Sequence, residues 1–468
     1  MKSSVLLPIS FALVFLILSS PSVIHAQVVT DLYDFANSHG LAGPGYVTPT
    51  QGRDGNMYGT ASGLATGRSS DGAVFRYTIG GPMTATYTFS NSGQTDGGGP
   101  SGGLTIATDG HFYGSTFRGG ESNAGVLFKV ARNGTYTLIH NFDGDGAYLI
   151  GAPVEASDGN LYGTTGYNTN IAGGYGTVYR YTRAGVFSTI YNFSSTDGAN
   201  PWAPLIQAAD GNLYGTTSQG GAHNCGTIFK MTTSGTLMHS YSFKCGADGA
   251  YPYGYLMQAS DGNFYGITTG DFVTSFGTVF KLAQSGVVST IYAFPGATFD
   301  GQSPLGGLVQ GTDGNLYGTT QLGGTDGNGT IFQVTLSGAY TSLYSFPTSV
   351  GAQPWAPPRQ HTSGVFYGTT FSGGAGGDGS FYSLDMGLGP FVTFVRPTGK
   401  VAQTAQILGQ GLTGTTSVTF NGLAATSFSV VSDTYMTAVV PADATTGPVV
   451  VATPSGQLTS NVNFRISK

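Results

Sequence analysis

Asp158-Gly159-Asn160-Leu161-Tyr162-Gly163-Thr164 is one copy of a motif that returns along the chain about every fifty residues, and that recurrence decides the fold. Its tyrosine is found at Tyr58, Tyr113, Tyr162, Tyr214, Tyr265, Tyr317 and Tyr367. In the last copy Ser363-Gly364-Val365 replaces Asp-Gly-Asn. Further on in each unit comes a second motif, as in Gly277-Thr278-Val279-Phe280-Lys281, with its aromatic at Phe75, Phe128, Tyr179, Phe229, Phe280, Phe332 and Tyr382. A third, Tyr-x-Phe, follows, as in Tyr87-Thr88-Phe89 and Tyr241-Ser242-Phe243, with His140-Asn141-Phe142 as a variant. Such a period belongs to solenoids and propellers. Glycine interrupts every window that could space apolar residues as a helix does, so the units are strands. In the fourth unit the expected strands are Leu205 to Ala208, Leu213 to Thr217, Thr227 to Met231 and Leu237 to Phe243. The Asp-Gly step reads as a two-residue hairpin turn between the first two. Four antiparallel strands per unit, seven times over, predict a seven-bladed β-propeller.

The ends of the array point to closure. A lone Tyr33-Asp34-Phe35 opens it, and a lone Gly379-Ser380-Phe381-Tyr382 ends it without a Tyr-x-Phe. The N-terminal strand therefore supplies the missing outer strand of the last blade, which ties the ring and removes an open edge. The three motifs together resemble the GloVer (Gloeo/Verruco) tandem-repeat proteins of secreted bacterial chains, over Tyr33 to Leu384. That resemblance implies export and carries no activity.

From about Gly387 the repeat stops and short alternating strands take over, among them Ser417-Val418-Thr419-Phe420-Asn421-Gly422 and Tyr435 to Val440. Their spacing suits an Ig-like β-sandwich. The Gly409-Gln410-Gly411-Leu412 spacer and late Thr446-Gly447-Pro448-Val449 run resemble an IPT/TIG domain. The expected division is 1–26 signal peptide, 27–386 propeller and 387–468 Ig-like domain.

Lys2 followed by the apolar run Val5 to Leu18 and small residues up to Ala26 reads as a secretory signal. Once it is removed, no apolar run of membrane-spanning length is expected, and the protein is placed as secreted, extracellular or at the cell surface. The chain has 17 basic and 23 acidic residues, a net charge of −6, and no basic run. Nucleic-acid affinity rests on phosphate neutralisation, so nucleic acid is excluded as a partner. Charged residues make up only 9%, but 12% aromatics supply the side chains a disordered chain lacks. Cys225 and Cys245 flank one predicted hairpin, which an exported protein can staple with a disulfide.

Strand order puts the Asp-Gly turns on one face, and the long loops and inter-blade connections on the other. Variable loops on a rigid scaffold are where ligands bind. The connections repeat Asp-Gly-x-x-Pro, and the ligand-binding candidates there are Trp202, Tyr253 and Trp355 with Asp197, Asp248 and Asp300. Aromatics and carboxylates at a channel mouth suit sugar rings or a cation; turn formation is the plainer reading of the aspartates. No metal site, cofactor or catalytic residue is assigned, since Glu occurs only at Glu121 and Glu155 and the histidines lack ligand spacing. The expected function is non-catalytic binding of carbohydrate or an extracellular protein. The alternatives are a polysaccharide-active lyase or hydrolase and a purely structural surface component. Export is expected to yield a mature chain beginning at Gln27. Intact-mass measurement of the secreted protein checks this, and a chain retaining Met1 or Lys2 would refute it.

Overall fold

The computed structural model describes residues 27–36, 41–63, 71–90, 95–167, 174–271, 275–296 and 300–467. The expected signal peptide at 1–26 lies outside them. The described chain is all β, with no helix, and hence none long and apolar enough to cross a membrane.

Seven antiparallel sheets follow one another from Thr50 to Asp385. The fourth is typical: a short inner strand Ile206–Gln207, then Leu213–Thr217, Thr227–Met231 and the outer Leu237–Ser242, paired in that order. The sixth sheet adds Gln302–Pro304 beside Leu316–Leu322. The seventh takes its outer strand from the other end of the chain. Val28–Asp34 pairs antiparallel with Ser380–Asp385, from Val28 opposite Asp385 to Asp34 opposite Ser380. The array is a propeller-like repeat fold.

One contact recurs in every sheet and explains two motifs together. The glycine of Tyr-Gly-Thr stands directly across the ladder from the aromatic of Gly-Thr-Val-Phe: Gly59 opposite Phe75, Gly114 opposite Phe128, Gly163 opposite Tyr179, and so on to Gly368 opposite Tyr382. The tip of the ring covers the glycine. A Cβ at Gly114 would meet Phe128 Cζ at 2.6 Å, and the other six sites are tighter. The same ring faces the adjoining sheet, so apolar clusters form between sheets. Tyr162, Val178 and Phe193 of the third pack on Leu205, Leu213 and Phe229 of the fourth. Phe35, Phe381 and Tyr367 of the seventh likewise pack on Met57 and Phe75 of the first. Burying each such ring contributes roughly 1.5–3 kcal/mol.

Polar bonds run the same way round. The carboxamides of Gln207, Gln258, Gln310 and Gln360 each accept an N–H from the preceding sheet, at 2.7–3.0 Å. Gln51 of the first sheet accepts Thr362 N–H of the seventh at 3.0 Å, and Glu155 does the same for Thr108 at 2.7 Å.

The Asp-Gly turn departs from the two-residue hairpin expected. Ala208 N–H donates to Asn212 O at 2.9 Å and Gly211 N–H to Ala208 O at 3.0 Å, enclosing three residues, with only Gly211 at positive φ (81°). This is a type I turn closed by a glycine bulge. The aspartate selects it by accepting the Asn212 N–H (3.0 Å) and the Tyr214 hydroxyl (2.9 Å).

Beyond Asp385, two four-stranded antiparallel sheets share one core. Phe394, Ile407, Met436 and Ala438 of one meet Val418, Phe420, Val449 and Val451 of the other. This unit packs on the Asp-Gly face. Gln406 donates to Thr108 O (2.8 Å), Thr434 to Arg53 O (2.8 Å) and Arg465 to Gln207 O (3.2 Å).

His361, 1% exposed, sits where this unit meets the first and seventh sheets. Its Nε2 lies 2.9 Å from the Gly55 carbonyl and must donate, while Nδ1 accepts Ser363 N–H at 3.1 Å. The neutral ring is thus fully used, and burial lowers its pKa to about 4. Protonation is disfavoured in the fold alone, so stability is complete above pH 6.5 and falls as pH drops from there towards 4. The loss is on the order of 3 kcal/mol. His361→Gln is expected to flatten that part of a stability-versus-pH profile, and an unchanged slope would refute the assignment. Gly266→Ala, forced against Phe280, is expected to cost about 1–3 kcal/mol in denaturant unfolding.

Candidate functional site

The connection from one sheet to the next inner strand is fixed by backbone alone. A residue in the left-handed region stands in all seven: Gly43, Gly99, Tyr148, Asn200, Tyr251, Ser303 and Gln353, with φ of 54–61°. Five are not glycine, a strained choice that persists only where the surroundings compel it. The compulsion is a hydrogen bond. Each of these N–H groups donates to a carbonyl in the long loop of the preceding sheet, at 2.7–3.2 Å. Cys225 supplies one such carbonyl, to Tyr251 N–H at 2.9 Å. The Cα atoms of Cys225 and Cys245 are 5.5 Å apart, a separation that a disulfide spans, and the pair braces that loop.

Shortly after this residue the chain turns inward, and a threonine or serine of the preceding sheet grips the following carbonyl. Thr164 donates to Ala203 O (3.1 Å), Thr216 to Gly254 O (2.9 Å), Thr319 to Ala356 O (3.1 Å), Thr369 to Val47 O (3.0 Å) and Ser115 to Gly151 O (3.0 Å). The residue before each carbonyl is thereby held at the mouth of the central space: Trp202, Tyr253, Trp355, Tyr46 and Ile150.

Tyr46, Ile150, Trp202 and Tyr253 line a cavity of about 740 Å³, and together they also line a smaller one of about 240 Å³ with Asn200 and Gln219. Burial, and then the neighbouring Tyr253 hydroxyl, push the Tyr46 phenol up to about 12. It therefore stays a hydrogen-bond donor at any physiological pH. Trp202 packs over Gly166, where any side chain would collide with the indole. Further in, the wall is made of inner-strand residues and of Tyr255, a half-buried phenol that interacts with Thr48. The far end is floored by the C-terminal unit through Pro397, Ser460, Asn461 and Arg465.

Of the six expected ligand-binding residues, the structure brings Trp202 and Tyr253 together at the cavity. Trp355 stands beside them in the repeat, but its ring stacks on Phe371 (3.8 Å, 11°) and leans on Tyr46 (5.1 Å), off the cavity lining. The expectation of carboxylates at the mouth is corrected. Asp197 and Asp248 turn back into their own sheets to accept the hydroxyls of Tyr191 and Tyr241, the latter at 2.8 Å. Asp300 lies beside Tyr292 and accepts the Tyr340 hydroxyl through its backbone carbonyl. These aspartates follow the phenylalanine of Tyr-x-Phe by four to six residues and stay beside the tyrosine of their own sheet. Glu155 is equally committed, to Thr108, to Arg183 at 2.7 Å and to Arg396 of the C-terminal unit at 3.7 Å.

Tyr46, Ile150, Tyr255, Arg359 and Arg465 were not legible as site residues. Tyr46 follows Gly43-Pro44-Gly45, a connection one residue longer than Asp-Gly-x-x-Pro. Alignment on the inner strand, where Thr50 pairs Tyr58 as Ile206 pairs Tyr214, was the available signal. The cavity lining holds tyrosine, tryptophan, threonine, serine, amide and arginine side chains, and no Asp, Glu, His, Cys or Lys among the described residues. Nor is any group of three or more His, Cys, Asp or Glu among the described residues placed to hold a metal ion.

The model of a family described as the Gloeobacter/Verrucomicrobia repeat matches residues 23–165, 145–311 and 277–461. No curated protein matches the chain. Among solved structures, a candidate 6-phosphogluconolactonase from Bacteroides uniformis is 17% identical, with a TM-score of 0.47 over 67% of this chain and 88% of that one. The periplasmic gluconolactonase of Pseudomonas aeruginosa is 16% identical, with a TM-score of 0.46 over 71% and 97%. Likeness at this level transfers no activity.

Proposed function

The chain belongs to the Gloeobacter/Verrucomicrobia repeat family, and from that premise we propose that it is an exported, non-catalytic protein that binds carbohydrate in the cavity behind Tyr46, Trp202 and Tyr253. The observation that carries this is the chemistry of the mouth. Aromatic faces accept the C–H faces of sugar rings, and their hydroxyl and indole edges serve the sugar hydroxyls. A concave site of several hundred Å³ with few, fixed polar groups is the size and kind that takes a small ligand. Among the described residues the wall offers no carboxylate, imidazole or thiol to act as acid, base or nucleophile, which favours binding over a lyase or hydrolase.

The rest of the reading follows the same lines. The seven sheets are the blades of a closed propeller, a view supported by the bonds from Thr369 to Val47 and from Thr362 to Gln51. The C-terminal unit is an Ig-like module of the IPT/TIG type, supported by its two sheets around one core. Residues 1–26 direct export and are removed, leaving the protein outside the cell or at its surface.

A glycan-array screen of the secreted protein beside Trp202→Ala/Tyr253→Ala tests the reading. Saturable binding by the native protein, weakened at least tenfold in a variant whose unfolding midpoint is nearly unchanged, is the expected result. A native protein that binds no glycan would overturn the carbohydrate assignment and leave an extracellular protein as the partner.

A further inference from the structure

The protein as a whole is acidic, with a net charge of −6, yet its cavity is not. The charged side chains among the described lining residues are two guanidinium groups, Arg359 and Arg465. They come from different parts of the chain. Arg359 stands on the inner strand Arg359–Gln360 of the seventh sheet, and Arg465 rises from the C-terminal floor. Equivalent inner-strand positions in the other sheets carry Thr50, Thr105, Val154, Ile206, Met257 and Val309, so Arg359 is an exception to the repeat and no part of its framework.

Neither cation is neutralised inside the cavity. Arg359 makes no salt bridge among the described residues, and its charge acts on the phenol of Tyr255. Arg465 donates to the Gln207 carbonyl at 3.2 Å. Its acidic neighbour Asp210 is already held by Lys230 at 2.9 Å and by the Tyr214 hydroxyl at 2.9 Å. Two guanidinium groups on a concave wall that carries no carboxylate among the described residues attract anions. Asn461 adds an acceptor on the same floor: its side-chain oxygen is buried without a hydrogen-bond partner.

We propose that the cavity selects an acidic sugar, one bearing a carboxylate or sulfate, with the anionic group drawn to Arg359 and Arg465 and the sugar ring received by the aromatic mouth. The inference rests on the carbohydrate reading above and narrows it. It also makes the C-terminal unit part of the site, because Arg465 and Asn461 belong to it.

Titration calorimetry with three probes tests it: tetragalacturonate, its fully methyl-esterified form, and a sulfated galacto-oligosaccharide. The first two share a backbone and differ in charge. The expected result is that one or both acidic probes bind at least tenfold tighter than the ester, with an advantage that shrinks as salt is raised. Arg359→Gln should abolish that advantage while leaving the unfolding midpoint in place. Preference for the carboxylate or the sulfate probe identifies the anion, and either supports the proposal. Equal binding of acid and ester, lost in Trp202→Ala, would overturn the acidic-sugar inference and keep the carbohydrate reading. Failure of all three probes together with a blank glycan array would overturn both.

Discussion

An aromatic ring laid over a glycine, once in each of seven sheets, is the contact on which the rest of this structure depends. It sets the register between the second and third strands, because only that pairing puts the ring where there is no Cβ. The same ring then packs against side chains of the adjoining sheet. The intersheet clusters then follow with nearly the same residues each time, as Phe193 with Phe229 and Phe294 with Phe332 illustrate. In two sheets the ring is a tyrosine. The hydroxyls of Tyr179 and Tyr382 are buried without a partner, and nothing in the structure explains why phenylalanine was not used there.

The repeat consumes its own polar groups, and that decides where chemistry can be. Each Asp-Gly-Asn aspartate is bound to the tyrosine four residues on, at 2.7–2.9 Å, in six sheets. Connection aspartates hold the outer-strand tyrosines, and inner-strand amides clasp neighbouring sheets. The units diverge at the residue after each connection, Tyr46, Ser101, Ile150, Trp202, Tyr253, Leu305 and Trp355, of which Tyr46, Ile150, Trp202 and Tyr253 line the cavity. A scaffold bonded in much the same way from sheet to sheet leaves this position of each connection to vary.

The C-terminal unit changes the nature of that central space. It closes the Asp-Gly end through side chains placed at several sheets, so that a passage becomes a cavity with a floor. Burial of Arg465 there costs desolvation, and no carboxylate among the described lining residues offsets it.

Strand existence, the repeat and its sheet partners were legible in the residues because glycine, aromatic and turn positions recur at fixed offsets, and each offset has a local physical cause. The pairing of Val28–Asp34 with the last repeat was legible for the same reason, as a missing element at one end and a spare one at the other. The three-residue turn at Asp-Gly was not, since it depends on a side-chain bond from tyrosine to aspartate across the hairpin. Tyr46 escaped notice through a one-residue insertion, and Arg359 and Arg465 through lying far apart in sequence with no motif to join them. Sequence alone determined the units and their order, because those interactions lie within one hairpin or between neighbours of like composition. Only the tertiary structure decided which side chains meet at the centre, because convergence there comes from every sheet and from the C-terminal unit at once, and no local rule specifies it.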